Sequence, residues 1–387
     1  MNIVFIEPFR NQLLPFTYTK PVSELRCGIL KMREKWEHIF PDATYSNQTE
    51  QYLQDTKWPL KIETKNIFIN ASVFPNEKLV EKLQQLQPKQ ALFYEDELIA
   101  YSATEIDGFE QKIQLDQEPM MIKNTWDIFA LNHKAISQDF KTLTHGRKSE
   151  AIPEHVLAIN PEQIFIEKGA TLINGTLNAS EGPIYIGKDA EIMESVNIRG
   201  PFALCEHATL KMDAKIYTGT TIGPYCKVGG EVSNSVIQGY SNKGHDGFLG
   251  NSVIGEWCNL GADTNTSNLK NNYASVKLWD YQKGGFKDTG LQFCGLMMGD
   301  HSKCGINTMF NTGTVVGVSA NIYGAGFPRN FIPSFSWGGS SGFITYKFNK
   351  ATEVAKVVMK RRSIDFDDKD EQILQHVFDL TQQYRNR

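Results

Sequence analysis

The chain has 387 residues, 41% of them hydrophobic, with 40 Lys and Arg against 44 Asp and Glu for a formal net charge of −4. Such a length predicts two domains and a sizeable core, and a near-balanced charge without a long basic run excludes a chain built to track a nucleic-acid backbone. No window reaches the roughly 18 apolar residues of a bilayer span and MNIVFIEPFRNQLLPF lacks a basic leader, so no membrane partner and a cytoplasmic protein are expected.

In chain order, residues 1–148 alternate strand-like runs (NIVFI, NIFIN, ALFYE) with helix-like ones (LKMREKWEHIF, NEKLVEKLQQL), which predicts an α/β layer domain. The segment IVFIEPFRNQLLPFTYTKPVSELRCG resembles the opening of sugar nucleotidyltransferases, where G-G-x-G-T-R precedes Pro-x-T and Pro-Lys. Pro15-Phe16-Thr17 and Thr19-Lys20-Pro21 keep step with that pattern, but Glu7, Pro8 and Arg10 stand for the glycines, Gln12 for the arginine and Val22 for the lysine. Backbone N–H groups cradle phosphate in such a loop. Pro8 has none to offer, and Glu7 repels the ligand.

NIFINASVFPNEKLVEKL resembles the strand that in this family ends in Gly-Asp, with neutral Ser72 in place of the metal-binding carboxylate. NTWDIFALN resembles the Trp-Asp-Leu-Leu segment of archaeal relatives, which implies Asp127 as a ligand for Mg²⁺. The resemblance thus implies a Rossmann-like nucleotidyltransferase fold with its catalytic set altered, in which Arg10, Lys20 and Arg26 are the candidates for nucleotide or phosphosugar binding. The alternative for these three is ordinary surface charge.

From residue 186 an aliphatic residue recurs every sixth position: Ile186, Ile192, Ile198, Leu204, Leu210, Ile216, Ile222 and Val228. The period returns at Phe248, Ile254 and Leu260 and again from Met298 to Ile322. A small or compact residue, such as Ala190, Ala208, Ala214, Thr220 or Cys226, lies four places after these positions. A period of six suits neither helix nor flat strand, and predicts a parallel β-helix over 149–345 with turn glycines at its corners. Two interruptions, 234–247 and 265–297, are expected to be loops inserted to build a site, the second holding a hairpin that turns at Lys283–Gly285.

The stretch NKGHDGFLGNSVIGEWCNLGADTNTSN, residues 242–268, carries the most specific pattern. Gly244-His245, Leu249-Gly250, Asn259-Leu260-Gly261-Ala262 and Asn268 resemble, at matching spacing, the C-terminal domain of the bifunctional N-acetylglucosamine-1-phosphate uridyltransferase/glucosamine-1-phosphate acetyltransferase family. The resemblance implies a left-handed β-helix, His245 as general base toward a sugar amine, Asn259 placing the sugar, and Asn268 beside the amine or thioester carbonyl. Phe248 stands where the family has tyrosine. The family's phosphate-binding residues are not reproduced at the same positions; Lys227, Lys243, Lys270 and Lys277 are the candidate substitutes, with solvated loop lysines as the alternative reading. Acetyl-CoA as co-substrate is expected near Gly305, Ile306, Ala325 and Arg329, and a homotrimer is implied. Read without the resemblance, His245 is an exposed loop histidine, and Asn259 and Asn268 are corner residues.

Six scattered cysteines without a C-x-x-C pair read as packed, reduced thiols, and Asp300, His301 and Cys304 do not match a compact zinc pattern. The segments KATEVAKVVMKRR and DEQILQHVFDLTQQYR predict a helical tail over 346–387, with Val354, Val357 and Val358 on one apolar face and Ile373, Leu374, Val377 and Phe378 on another. The leading expectation is acetyl-CoA-dependent N-acetylation of an amino sugar or its 1-phosphate. A sugar-1-phosphate nucleotidyltransferase and a non-catalytic trimeric ligand-binding protein are the alternatives.

Overall fold

The computed structural model describes residues 1–104, 106 and 108–385. The N-terminal sheet runs in the order β2-β1-β3-β5-β4-β6, from β1 (Asn2–Ile6), β2 (Thr44–Gln48), β3 (Asn66–Asn70), β4 (Gln90–Tyr94), β5 (Glu97–Ala103) and β6 (Gln111–Gln114). β1 lies parallel to both β2 and β3, which leaves it central and wholly buried, as its unbroken apolar run requires. The helix-like runs form helices Met32–Ile39 and Glu77–Gln85, the latter capped by Asn76 accepting from the Leu79 amide.

Beyond helix Asn132–Thr144 the chain winds into a parallel β-solenoid whose coils stack three sheets of six, nine and ten strands. Ile186 pairs with Leu204 and Leu204 with Ile222, so each coil consumes three hexads. All eight residues of the first run are at most 3% exposed, and the small residues four places later are buried beside them.

The glycines that follow the inward residue have a different role from the one expected. Gly187, Gly223, Gly261 and Gly317 do not take left-handed turns. A Cβ on any of them would collide with the backbone of the next coil, so close stacking demands glycine there. Left-handed corners fall on glycine at other steps, such as Gly219, Gly230 and Gly313, but along one edge they fall on larger residues: His207, Tyr225, Tyr240, Trp257 and His301 take φ of 54° to 62° and stack in a ladder, at centroid spacings of 4.3 to 6.4 Å. Ring-on-ring contact repeated over these five coils offsets the local strain.

The first interruption of the period is not an inserted loop. Ile222 pairs with Ile237 and Ile237 with Ile254, so two coils are shortened, and Asn242–Lys243 still forms a strand in the ten-stranded sheet. The second is a true insertion, since Ile254 pairs with Met298. Its hairpin pairs Lys277–Asp280 with Gly285–Asp288, packs Tyr281 edge-on to Tyr18, and sets Lys287 Nζ 3.1 Å from the Asn124 amide oxygen. The insertion therefore clasps the N-terminal domain.

That domain lies along the outer face of the nine-stranded sheet. Asn132 bridges the two, accepting from the Gly28 amide at 2.7 Å and donating to Gly219 O at 2.8 Å and Thr221 Oγ1 at 3.0 Å. In tail helix Phe348–Lys360 the buried face is Ala351, Thr352, Ala355 and Met359, not the valine face expected: Val357 is 62% exposed. Helix Asp368–Leu380 buries Ile373, Leu374 and Val377 and stacks His376 on Tyr52 of the N-terminal domain at 4.0 Å. The six cysteines are buried and free. Among the described residues no helix is long and apolar enough to cross a membrane.

Candidate active site

The ten-stranded sheet presents an outward ladder immediately before the inward hexad residues. Lys227 registers with Asn242, Asn242 with Asn259, Asn259 with Lys303 and Lys303 with Asn321. Because side chains alternate across a strand, the residue before a buried Val228 or Leu260 must face outward. The tail helix crosses this face, and between helix and sheet lies a cavity of about 780 Å³.

His245, Asn259, Lys227 and Ile306 line the cavity together with Lys211, Lys303, Tyr240, Trp257, Val354, Val358, Arg361 and Arg362. Among the described residues its wall holds five lysines and arginines and no carboxylate, on a chain whose net charge is −4. A concave surface of one sign with low-dielectric walls focuses potential onto an anionic ligand. Lys303 is held by the His301 carbonyl at 2.8 Å, and burial pulls its pKa down to about 8. Arg362 Nη2 donates to Asn242 Oδ1 at 3.0 Å and ties the tail to the sheet.

His245 is exposed at the coil corner that follows strand Asn242–Lys243. Gly247, with φ of +115°, packs where a Cβ would strike the Thr264 carbonyl, so the corner is as tight as glycine allows. Lys243 does not line the cavity. It replaces the aliphatic residue between Val228 and the next coil, is 2% exposed, and donates from Nζ to Gly229 O at 3.0 Å and His245 O at 2.8 Å. Burial, opposed by Asp246 and Asp263, lowers its pKa to about 8. The lysine thus supports the His245 corner from beneath.

Other expected site residues lie elsewhere. Asn268 sits at a different corner, its amide 2.8 Å from Asn251 Oδ1, and Phe248 packs over Gly250 beside it. Ala325 is exposed and outside the cavity wall, and Gly305 accepts through its carbonyl from Thr308 Oγ1 at 2.9 Å. Arg329 lines a separate cleft with Lys270 and Lys277. The residues the sequence reading missed, Lys211, Lys303, Tyr240, Trp257, Arg361 and Arg362, carried one usable signal: Lys303 occupies the same outward step as Lys227 and Asn259.

In the N-terminal domain a crevice of about 560 Å³ opens where β1 and β2 end, lined by Glu7, Pro8, Arg10, Gln48 and Thr49. Open α/β sheets place ligands there. Glu7 occupies it, accepting from Arg10 at 3.0 Å, from Thr49 at 2.5 Å and from the Val22 amide. Burial raises its pKa against these partners. Arg10 spends its remaining donors on Thr17 O, Lys20 O, Thr49 and Tyr52.

Lys20 and Arg26 face the solenoid instead of the crevice. Lys20 Nζ lies 2.6 Å from Glu256 and 2.9 Å from Asp300. Burial alone lowers its pKa, but the two carboxylates outweigh it and raise the value. Arg26 exchanges hydrogen bonds with Gln238, amide to Oε1 at 2.7 Å and Nε2 to carbonyl at 2.9 Å.

Asp127 closes its own turn, its Oδ2 accepting from the Lys123 and Asn124 amides, both at 2.8 Å. Among the described residues no cluster of three metal-binding side chains occurs, at His301 or elsewhere.

Residues 2–148 match the sugar nucleotidyl transferase family. The chain is 33% identical over 145 residues to a bifunctional sugar-1-phosphate nucleotidylyltransferase/acetyltransferase of Sulfurisphaera tokodaii, covering 37% of this chain and 36% of that protein. It is 26% identical over 142 residues to an Escherichia coli protein named as an acetyltransferase, YaiX, covering 36% of this chain and 61% of that protein. Thus the chain spans about a third of the first of these relatives and under two thirds of the second. The solved UDP-N-acetylglucosamine acyltransferase of Campylobacter jejuni superposes with a TM-score of 0.24 at 16% identity, over 60% of this chain and 83% of that one.

Proposed function

We propose that the cavity between the solenoid and its tail helix is an acyl-transfer site at which an amino sugar bearing a phosphate is N-acetylated from acetyl-CoA. The observation that carries this reading is the meeting of His245 and Asn259 in a cavity walled, among the described residues, by five cations and no carboxylate. In the reaction the amine nitrogen attacks the thioester carbonyl, a C–N bond replaces the C–S bond, and the amine's proton passes to His245 and on to the departing thiolate. The cations bind the phosphate, and Asn259 positions the sugar. Lys243 fixes the backbone of His245. Asn268 has no part in this proposal, since it lies outside the cavity wall. The homotrimer implied by the resemblance belongs to the proposal and is checked by light scattering.

Thiol release from acetyl-CoA with a panel of amino sugars and their 1-phosphates tests it. A phosphorylated acceptor is expected to react best, and His245→Ala to lower the rate about 10²- to 10⁴-fold. Absence of release across the panel overturns the proposal.

A second reading, nucleotidyl transfer, is favoured by the family match over residues 2–148. Against it stand Glu7 at the phosphate position and Lys20 and Arg26 committed to the solenoid. Pyrophosphate release from nucleoside triphosphates and sugar 1-phosphates decides between active and retired.

A further inference from the structure

Next to the inserted hairpin lies a cleft of about 600 Å³, lined by Lys270, Lys277, Trp279, Phe286, Thr312, Arg329, Asn330, Phe331 and Tyr384. It is a separate space from the His245 cavity, with which it shares no lining residue. Two kinds of group dominate it. Trp279 and Phe331 stack at 4.1 Å, and Phe286, 43% exposed, stands perpendicular to Trp279 at 5.6 Å. Around these rings, among the described residues, the wall carries three cations and no carboxylate; Lys270 Nζ donates to Ser275 O at 2.6 Å and the Arg329 guanidinium lies 5.4 Å over the Phe343 ring. Asp288, the cross-strand partner of Lys277, turns to Ser275 Oγ at 2.8 Å instead of lining the cleft.

Partly exposed aromatic surface beside a cationic wall suits a ligand that is both flat and anionic. Inorganic phosphate satisfies the cations and leaves the rings uncovered, and an apolar ligand does the reverse. We propose that this cleft is a nucleotide site, in which the base packs on the aromatic wall and the phosphate meets Lys270, Lys277 and Arg329. The nucleotide is either free or the nucleotide end of a coenzyme. The site does not depend on the acyl-transfer reading.

Equilibrium binding to the full chain tests it with ADP, UDP, adenosine 3′,5′-bisphosphate, coenzyme A and inorganic pyrophosphate as probes. Saturable nucleotide binding is expected, weakened about tenfold or more in Lys277→Gln/Arg329→Gln. Both substituted side chains are exposed, so the double variant folds. Tighter binding of coenzyme A and the bisphosphate than of ADP and UDP assigns the coenzyme end, and the opposite order a free nucleotide. Binding of no nucleotide, binding undiminished in the double variant, or pyrophosphate bound as well as any nucleotide overturns the proposal. Because none of these readouts uses acetyl transfer, failure here and failure of thiol release are separate results.

Discussion

Arg362 at the end of the tail helix donates to Asn242 on the solenoid at 3.0 Å, and its neighbour Arg361 lines the same cavity. The wall that carries these two cations therefore comes from the chain's own tail. Arg361→Gln/Arg362→Gln is expected to raise KM for a phosphorylated acceptor about tenfold or more while leaving that for its unphosphorylated counterpart nearly unchanged, as loss of charge-assisted contacts would. Steady-state kinetics on the pair of acceptors checks this. An equal rise for both would point to collapse of the wall.

Lys243 places an ammonium where the repeat calls for an aliphatic side chain, between Val228 and the following coil. Its folded pKa, pulled down to about 8 by burial, lies below the unfolded value near 10.4. The unfolded chain thus binds the proton more readily, and stability rises with pH across that interval. Lys243→Met is expected to stabilise the fold at pH 7 by about 1–3 kcal/mol, with the gain vanishing above about pH 10.5. Thermal melts across pH 7–11 measure it. Activity should fall in the same variant, because the His245 carbonyl loses its donor.

Lys20 bridges Glu256 and Asp300 inside the interface between the two domains. Lys20→Met leaves buried Asp300 and half-buried Glu256 side by side without the cation they share and is expected to cost about 3–5 kcal/mol. Urea unfolding reports the loss, and Lys20→Met/Glu256→Gln should recover part of it. A variant as stable as wild type would remove the interface role.

Gly247 combines φ of +115° with a Cβ position blocked by the Thr264 carbonyl. Gly247→Ala is expected to destabilise by about 1–3 kcal/mol and to displace His245, two residues away. The paired readout is a lower melting temperature with a kcat loss larger than any change in KM. Full activity would show that the corner need not be rigid.

Much of the fold is legible in the residues taken in order. Period six announces the solenoid because each coil buries the same inward position, and Ile186 to Val228 do so without exception. The strands β1, β3 and β4 and the helices Met32–Ile39 and Glu77–Gln85 follow from local pattern. The half-polar edge strand β2, TYSNQ, offers no comparable signal, being a strand through its pairing with β1 alone. The hairpin was readable from its glycines, but its partner was not. What it grips, Tyr18 and Asn124, is more than 150 residues distant in the chain.

The candidate site divides along the same line. His245 and Asn259 can be picked out by motif, and Lys227 and Lys303 by register, because alternation within a strand is a local rule. Arg361 and Arg362 cannot, since where the tail helix lands depends on which of its faces buries best against a surface assembled from remote coils. Nor can the fate of Lys20 and Arg26 be read from a basic N-terminal loop. A lysine's role follows from the nearest charge, and only the docking of the two domains put Glu256 and Asp300 beside Lys20. Periodicity and turn chemistry act over a few residues and are written in the sequence, whereas the pairing of charges across an interface is a property of distance in space.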